Sequence, residues 1–505
     1  MPLDNLDDNI KCADALFTTW PAVDAIIGNP PFQSKNLMPV EFGKAYVEKL
    51  RKAYPQMPGR ADFCVYWFRR AHDHLKPRCR AGLVGTNTVR QNYSREGGLD
   101  YIVQNGGTIV EAVSSQPWSG EAAVHVSIVN WIKGQCNRPK LLMRQVGNDR
   151  NGPWEKFELD AINSSLAPDR DVAAAKSLKA NEHPKMVFVG QVHHNDNFLM
   201  SCEEAAVFLK KHPDHRPVIH PYLTGENLIN AGHPTRWIID FGQRDMLEAM
   251  RFKAAFEIVE KRVMPSVLEK AKRERDEVAK EIGPRQNHAK VWWQFWRPRP
   301  EVIALLEKLP RYIACSRVTK RPIFEFVSPV IHPNEALIAF TFADDYSFGV
   351  LQSGIHWLWF TAKCSTLTER FRYTSDSVFA TFPWPQNPNA QQIRAVVETA
   401  RALRILRRQT MRDNGWSLRE LYRTLETPGD NKLRDAHASL DTAVRAAYGM
   451  NEDEEILAFL LKLNLQLADK ESKGVPITPP GLPATIADPR EFISTDCVTC
   501  PNAPN

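Results

Sequence analysis

An Asn-Pro-Pro-Phe tetrapeptide at positions 29–32 is the segment whose residue types and spacing best fit a chemical task. Pro30 and Pro31 fix the backbone φ angle and remove two N–H donors, which leaves a rigid loop with outward-facing carbonyls. An exocyclic amine has two N–H groups, and the side-chain carbonyl of Asn29 and the backbone carbonyl of Pro30 can each accept one. These acceptors draw the nitrogen lone pair out of ring conjugation, so that the amine can attack an electrophilic methyl group without a general base. Phe32 offers a flat surface on which an extruded base can stack.

The residues before this tetrapeptide form an apolar run, Val23–Ile27, that predicts a buried strand ending at Gly28. An Asn-Pro-Pro turn can follow any strand, because asparagine and proline are common turn residues. The carboxyl edge of an α/β sheet is also where such folds bind ligands. This position favours a catalytic loop over a plain turn.

Residues 1–135 alternate short apolar runs with helical stretches, which indicates an α/β sheet. After the first strand, the patterns predict a helix at 61–75, a strand at 82–85, a helix at 90–104 and strands at 108–113 and 123–132. Any doubly wound fold could share this order of elements.

Composition and charge narrow the class of protein. Hydrophobic residues make up 43% of the 505 residues and charged residues 25%, as in a globular chain of roughly two to four domains. No apolar run approaches the ~20 residues of a membrane span, and the first residues do not resemble a secretory signal. The nine cysteines are irregularly spaced, so we expect reduced thiols and a cytoplasmic location. The net charge of +6 permits a polyanionic partner without requiring one.

The tetrapeptide Asn29–Phe32 resembles motif IV of the amino-methyltransferases that modify adenine at N(6). The upstream segment Ile10–Leu16 resembles their motif III, whose aspartate lies near the cofactor, and Asp14 matches that aspartate. An aspartate before a helix can also be a cap. The segment Gly120–Val129 resembles the late sheet hairpin of the same enzymes, and Trp118 before it is either a wall of the base pocket or a packing residue.

This resemblance implies S-adenosyl-L-methionine as the cofactor and an adenine in double-stranded DNA as the substrate. It assigns Asn29, Pro30, Pro31 and Phe32 to catalysis and Asp14 to cofactor binding.

Further motifs, in family order, resemble the single-chain restriction–modification enzymes of the MmeI-like group. They lie at 220–225, 236–241, 311–314, 348–353, 372–374 and 381–385, and the match covers roughly residues 8–450. The resemblance implies an α/β fold, with a partial Rossmann-like sheet of the class I methyltransferases followed by a mixed α/β target-recognition domain and C-terminal helices.

We therefore expect five regions along the chain. They are the catalytic half of a methyltransferase domain at 1–135, a linker at 136–185, a DNA target-recognition domain with a helical spacer at 186–385, a helical region at 386–471 and a disordered tail at 472–505. Within them, the patterns predict a long charged helix at 243–282, interrupted at Pro265, and a short strand at 348–351.

The sequence departs from the family pattern before motif III. The family carries a glycine-rich cofactor loop there, whereas only nine residues precede Ile10, and the family's amino-terminal nuclease is also missing. One hypothesis is an adenine-specific DNA methyltransferase, within a restriction–modification or phage-defence system, whose cofactor-binding half comes from a separate polypeptide. The other is a DNA-binding specificity subunit or truncated remnant without turnover. We expect little or no activity from this chain alone.

Five basic residues in the predicted recognition region are candidate DNA contacts: Arg297, Arg299, Arg317, Lys320 and Arg321. Arginine can contact a guanine edge in a bidentate manner, and lysine binds phosphate as a point charge. The alternative is a solvated loop. Four more arginines, at 401, 404, 407 and 408, have helical spacing and either follow a DNA backbone or form an ordinary charged helix face.

The sequence predicts no metal site. Cys497 and Cys500 form a CxxC pair without a second ligand pair. His212, His215 and His220 do not follow a metal-ligand pattern, and we interpret them as surface or turn histidines.

Overall fold

The computed structural model describes residues 10–118, 124–146, 151–168, 172, 174–277, 283–363, 365–367, 370–486 and 488–501. The chain forms two compact units, one of residues 1–174 with 365–370 and the other of residues 175–364 with 371–505. Within the described ranges, no helix combines the length and the apolar character needed to cross a membrane.

The first unit is built on a mixed sheet. Its elements are β1 (Ala25–Gly28), α1 (Met38–Glu41), α2 (Lys44–Ala53), α3 (Val65–His74), β2 (Arg80–Thr86), α4 (Asn92–Arg95), α5 (Tyr101–Gln104), β3 (Gly107–Pro117), β4 (His125–Lys133), β5 (Lys140–Gln145) and β6 (Trp154–Leu159). Among the described residues the strand order is β1-β2-β4-β3-β5-β6. β1 is parallel to β2 and β3 is parallel to β5, whereas the other neighbours are antiparallel.

The core of this sheet fixes the position of β1. β2 alternates buried and less buried residues, as a strand with one covered face should. Helix α3 covers that face, and its Phe68 ring stacks on Trp131 of β4 with centroids 5.8 Å apart. Gly85 permits this packing, because a Cβ there would lie 2.4 Å from Val89 and 3.0 Å from the Phe68 ring. The register then places Gly28, the last residue of β1, beside Leu83.

The expected α/β fold is confirmed, and the predicted elements between 61 and 132 all occur within a few residues of their expected bounds. The predicted linker at 136–185 is wrong over much of its length. β5 and β6 pair over six residues and extend the sheet, with Leu142 fully buried. The polar and Pro/Asn-rich surroundings of these strands concealed their short alternating patterns.

The second unit contains the remaining elements. Before residue 310 they are α6 (Lys179–Glu182), β7 (Val187–Val189), β8 (Leu199–Ser201), α7 (Cys202–Lys211), β9 (Ile219–Leu223), α8 (Gly225–Asn230), β10 (Arg236–Ile239), α9 (Met246–Met250), α10 (Lys253–Arg262), α11 (Met264–Glu277), α12 (Pro284–His288) and α13 (Pro300–Leu306). After it come β11 (Tyr312–Ser316), β12 (Val318–Thr319), β13 (Phe324–Val327), β14 (His332–Pro333), β15 (Leu337–Phe340), α14 (Asp345–Gln352), α15 (Gly354–Lys363), β16 (Ser365–Leu367), β17 (Arg370–Arg372), α16 (Ala390–Asn414), α17 (Leu418–Arg423), α18 (Lys432–Tyr448) and α19 (Ile456–Ser472). β16 and the first residue of β17 cluster with the first unit.

Two four-stranded sheets organise the described part of this unit. Their strand orders are β14-β9-β10-β8 and β13-β11-β15-β7. The predicted helix at 243–282 is three helices, α9 to α11, and Pro265 lies in the first turn of α11, where proline is tolerated, rather than in a helix interior.

The predicted strand at 348–351 is wrong, because these residues lie inside helix α14. Every residue of this helix is buried, so the apolar run carries no amphipathic period that would distinguish a buried helix from a buried strand. Asp344 begins the helix by accepting a hydrogen bond from the Ser347 backbone N–H at 2.7 Å.

The predicted disorder after residue 472 is also wrong for the described residues of that segment. Phe492 is 3% exposed, and the backbone of Val498 pairs with Phe326 through a hydrogen bond of 2.7 Å. Asp496 bonds Arg404 at 2.9 Å. The Pro-rich composition predicted a chain without a core of its own, and this segment instead completes the core of α14, α16 and β13.

Candidate active site in the first unit

The tetrapeptide Asn29–Phe32 follows β1 directly, and its first three residues line an open cleft of about 790 Å³. Asn29 is exposed, Pro30 is buried, and both face the cleft together with Pro31. The strand therefore delivers an exposed carboxamide, anchored by a buried proline, to the carboxyl edge of the sheet. A planar ligand amine can reach the Asn29 side chain there.

Phe32 is half-buried beside this cleft and contacts Trp118 at the end of β3. The two ring centroids are 5.5 Å apart and the rings are nearly perpendicular, at 79°. The Trp118 backbone N–H donates to the Val124 carbonyl at 2.8 Å, which fixes the tryptophan next to the loop. The sequence left Trp118 as either a wall of the base pocket or a packing residue. In the structure it packs against Phe32, the aromatic residue of the tetrapeptide. Part of the segment 120–129 lies outside the described residues.

Asp62 holds the loop after Phe32 in place, although no motif or spacing in the sequence predicts this role. Its carboxylate accepts from the Lys35 backbone N–H at 3.3 Å and from the Thr88 hydroxyl at 2.7 Å. Its own backbone N–H donates to the Ser94 hydroxyl at 3.0 Å. Next to it, the Phe63 N–H donates to the Gln33 carbonyl at 3.0 Å. Asp62 thus joins the tetrapeptide loop to the segments that follow β2.

Asp14 lines the same cleft. One of its carboxylate oxygens accepts from the Leu16 N–H at 2.9 Å, which closes a turn. Among the described residues the first helix begins only at Met38, so the interpretation of Asp14 as a helix cap is wrong, and its role in cofactor binding stays a prediction. The Leu16 carbonyl in turn accepts from the Tyr54 hydroxyl at 2.9 Å and from Arg70. Burial and the neighbouring Asp14 carboxylate raise the pKa of the Tyr46 phenol, so Tyr46 stays a neutral hydrogen-bond donor.

The rest of the cleft is apolar and aromatic. Its aromatic walls are Trp20, Phe42, Tyr46, Phe63 and Trp67. One carboxylate among aromatic rings suits the adenosine end of S-adenosylmethionine, a flat heterocycle with polar edges. Within the described ranges, the cleft lining includes a single glycine, Gly28, and no glycine-rich turn for the methionine end.

The outer edge of β1 carries no strand among the described residues, where β1 pairs with β2 alone. Ile27, which also lines the cleft, is 88% exposed, and Ala25 and Gly28 are exposed with it. Strands that pair in parallel are usually buried on both sides, and an apolar open edge tends to acquire a further strand. Among the described residues, β1 is therefore the outermost strand of the sheet.

Comparisons with known proteins identify the two parts of the chain. The methyltransferase-domain model of the MmeI family matches residues 1–144, and the model of the MmeI target recognition domain matches residues 168–386. The chain belongs to the MmeI-like DNA methyltransferases. The expected resemblance is thereby confirmed.

Two similar proteins show what share of a full-length relative this MmeI-like chain covers. DNA methyltransferase A of Bacillus subtilis (strain 168) is 23% identical over 492 residues, which is 93% of this chain and 52% of that protein. The type IIL restriction–modification enzyme MmeI, solved in complex with DNA, aligns with a TM-score of 0.69 and 22% identity over 88% of this chain and 57% of that chain. The chain thus spans about half the length of the curated relative.

The MmeI target recognition match contains all five basic residues predicted to contact DNA, and the structure divides them. Hydrogen bonds that link Pro298, Gln191, Glu335 and Arg317 bring Arg297, Arg299 and Arg317 into one neighbourhood. Lys320 is exposed, and the Arg321 guanidinium lies 5.6 Å from the centre of the Tyr422 ring. Whether these residues contact DNA stays a prediction.

The four arginines of helix α16 predicted as candidates, at 401, 404, 407 and 408, form ion pairs with other segments of the chain. Arg404 and Arg407 are 2% and 1% exposed. Arg404 pairs with Asp345 and Asp496, Arg407 with Glu325, Arg401 with Asp345, and Arg408 with Asp496. For the buried Arg404 and Arg407, the interpretation as contacts along a DNA backbone is therefore wrong. An exposed charged face is wrong as well for the two buried arginines.

The histidines near residue 215 are not all at the surface. Ligand atoms of His212, Asp214 and His215 lie within 4.8 Å of one another, and His215 is only 4% exposed. A close approach to Asp214 and ring packing explain this arrangement, because His215 Nδ1 lies 3.1 Å from the Asp214 carboxylate and the ring lies against Phe208 and Phe252. The interpretation as a surface histidine is wrong for His215.

Replacing Asp62 with alanine is expected to slow methyl transfer by roughly ten- to a hundredfold, because the tetrapeptide loop loses its anchor and the amine acceptors lose their fixed position. Asp62→Asn keeps one acceptor for the Lys35 N–H and should recover part of the rate. Single-turnover transfer rates, measured beside thermal unfolding midpoints, check this.

Asp73→Ala is the matched control, since Asp73 accepts a hydrogen bond of the same length, 2.7 Å, from the Tyr101 hydroxyl far from the loop in sequence. Equal rates for wild type, Asp62→Ala and Asp73→Ala would show that Asp62 does not position the loop.

Proposed function

We propose that this chain transfers the methyl group of S-adenosylmethionine to the exocyclic amine of an adenine in duplex DNA, within a restriction–modification system. The observation that supports this most strongly is the exposed Asn29 carboxamide at the end of a parallel strand, in a cleft shared with Asp14 and beside the Phe32 and Trp118 rings. The whole protein's target sequence and partners belong to the same proposal.

In this proposal, the target adenine leaves the duplex and its two amine hydrogens are accepted by the Asn29 side-chain oxygen and the Pro30 carbonyl. The buried Pro30 ring keeps that carbonyl fixed, so no reorganisation is needed when the amine nitrogen becomes nucleophilic. Phe32, braced edge-on by Trp118, supplies the flat surface beside the base. S-adenosylmethionine, when bound, supplies the electrophilic methyl group.

We further propose that a segment carrying the glycine-rich cofactor loop docks on the outer edge of β1 and completes the cofactor site. The exposed apolar edge at Ile27, the half-length coverage of the curated relative and the position of Asp14 in the cleft support this. Such a segment would add a strand through backbone hydrogen bonds, and apolar side chains would cover Ile27. A separate polypeptide could provide it.

Ile27→Asp tests the docking edge. A buried, unpaired carboxylate at the new contact should weaken association with the cofactor-binding segment by roughly a hundredfold or more, while the isolated chain stays folded because Ile27 is already exposed. The measurement is calorimetric titration of the full chain with the corresponding amino-terminal segment of a family relative.

Val207→Asp is the matched control, because Val207 is 70% exposed on helix α7 of the second unit. If Ile27→Asp and Val207→Asp bind the segment equally well, the β1 edge is not the docking site.

The proposed activity itself is tested by incubating the full chain and the cofactor-binding segment with duplex DNA and radiolabelled S-adenosylmethionine. Label in the DNA supports the methyltransferase. The alternative, a specificity subunit without turnover, is supported if the chain binds the DNA and the segment but no label is transferred.

A further inference from the structure

We propose that a cluster of four arginines in the second unit binds a single backbone phosphate of duplex DNA. The arginine cluster consists of Arg297, Arg299, Arg317 and Arg372. The inference rests on the proposed function, since it specifies how the recognition region holds its substrate. The proposal adds Arg372 to the candidate DNA-contacting residues and leaves Lys320 and Arg321 out of this site. The ligand of the site is a phosphate rather than a base.

The backbone brings the arginine cluster together from three segments. The Arg317 carbonyl accepts from the Tyr373 N–H at 2.8 Å, and Val318 of β12 pairs with Arg372 of β17, so Arg317, directly before β12, lies next to Arg372. Arg317 Nη1 lies 3.5 Å from the Glu335 carbonyl.

Gln191 connects that pair to the third segment. Its carbonyl accepts from the Glu335 N–H at 2.9 Å, and its side chain donates to the Pro298 carbonyl at 2.7 Å. Pro298 lies between Arg297 and Arg299. Gln191 is 1% exposed and also donates to the buried Asp240 carboxylate at 2.7 Å. The cluster therefore has a rigid support.

The charge of the cluster is not balanced by the acids around it. The pKa of Arg317 is lowered by its burial and by the guanidinium groups of Arg372, Arg299 and Arg297, and the Glu335 carboxylate opposes this. Arg299 lies 3.9 Å from Glu301, which is close enough for a weak ion pair. Guanidinium groups do not deprotonate in proteins, so the repulsion persists unless an anion binds.

Unused hydrogen-bond donors and backbone strain point the same way. The Nε atoms of Arg299 and Arg317 are buried and have no hydrogen-bond partner. Arg299 also has a left-handed backbone, with φ of 54°, which is costly for a residue with a side chain. Strain of this kind is typical of binding sites, where surrounding structure maintains it.

A phosphate suits these features better than a guanine edge does. It carries a negative charge and several acceptor oxygens, so it can satisfy converging donors and offset their repulsion together. A guanine edge is neutral and offers two acceptors, which serve one guanidinium group. A phosphate contact holds the duplex in register without selecting a sequence.

Binding of the full chain to two fluorescent duplexes of unrelated sequence tests the proposal. Arg317→Ala and Arg372→Ala should each weaken binding roughly tenfold on both duplexes, and should lower the slope of log affinity against log salt concentration by about one. Arg317→Lys, which keeps the charge without the fork of donors, should fall between wild type and Arg317→Ala.

Arg490→Ala is the control, because Arg490 is an exposed arginine of the same unit that pairs with Asp488 at 2.9 Å. It should bind both duplexes as wild type does. Thermal unfolding of each variant identifies a folding defect. If Arg317→Ala is misfolded, the DNA affinity of Arg372→Ala decides the test, since the two residues lie on different segments.

Unchanged affinity in both alanine variants would overturn the proposal, and so would a loss confined to one duplex, which would indicate reading of a base. Failure of the phosphate site can be distinguished from failure of the proposed function, because DNA binding is measured without S-adenosylmethionine. Methyl transfer that persists with wild-type salt dependence in the variants would leave the function standing and the phosphate site refuted.

Discussion

Replacing Asn29 with alanine is expected to lower the rate of methyl transfer by roughly a hundredfold or more, the usual cost of losing one preorganised group at the reacting centre. The Pro30 carbonyl would then be left to accept one amine hydrogen alone, and the nitrogen lone pair would stay conjugated with the ring. Because Asn29 is exposed, the variant should fold normally. Single-turnover transfer to DNA, with the cofactor-binding segment present, measures this rate.

The substitution should leave DNA affinity within a small factor of wild type, since the proposed phosphate contact lies in the second unit. Asn137→Ala is the control, because Asn137 is an exposed asparagine between β4 and β5 of the first unit. A transfer rate for Asn29→Ala equal to that of Asn137→Ala would mean that the amine is activated elsewhere.

Replacing Asp345 with alanine is expected to destabilise the second unit by about 3–5 kcal/mol, because removing one partner of a buried ion pair leaves uncompensated charge. Its side chain is fully buried and accepts from Arg311 at 2.8 Å, from Arg401 at 2.7 Å and from Arg404. Ser494 of the carboxyl-terminal segment donates to the same carboxylate at 2.9 Å. Denaturant unfolding followed by tryptophan fluorescence and circular dichroism measures the loss.

Asp488→Ala is the matched control, since it removes an exposed carboxylate that pairs with Arg490, and its unfolding midpoint should equal that of wild type. An Asp345→Ala midpoint indistinguishable from that of Asp488→Ala would contradict the assignment of Asp345 as the centre of this network.

The same carboxylate should affect stability at low pH. Burial raises the pKa of Asp345, and the Arg404 and Arg311 guanidinium groups outweigh that effect, so its pKa in the folded chain lies below the usual value. Its contribution is fully present above the unfolded pKa of about 4 and is lost as the pH falls through the lower folded value. Asp345→Asn should therefore lose less stability on acidification than wild type.

Local patterns in the sequence were sufficient to predict the position of the Asn29–Phe32 loop. The apolar strand before Asn29, the two prolines and Phe32 are all adjacent in the chain, and the structure places them as expected at the end of a strand. Asp62 could not be predicted in this way. It holds the loop through hydrogen bonds with Lys35 and Thr88, each more than 20 residues away in the sequence. No spacing rule predicts hydrogen bonds between residues so far apart.

Charge patterns were the weakest guide. Arg404 and Arg407 have the helical spacing of a solvated face, but their partners Asp345, Asp496 and Glu325 come from three distant segments. The tail containing Asp496 has a composition typical of disorder, and its order depends on those arginines. The same dependence on distant partners explains why Arg297 and Arg317 could be proposed from the sequence while Arg372, on a neighbouring strand, could not.

The most direct test of the central claim is the identity of the modified base. Unmethylated plasmid DNA is incubated with the full chain, the cofactor-binding segment and S-adenosylmethionine carrying a deuterated methyl group, and is then digested to nucleosides for mass spectrometry. We predict deuterated N(6)-methyldeoxyadenosine with the wild-type chain and none above background with Asn29→Ala. Deuterium on cytosine, or on adenine to the same extent in both samples, would contradict the assignment of the Asn29–Phe32 loop as the site of adenine methylation.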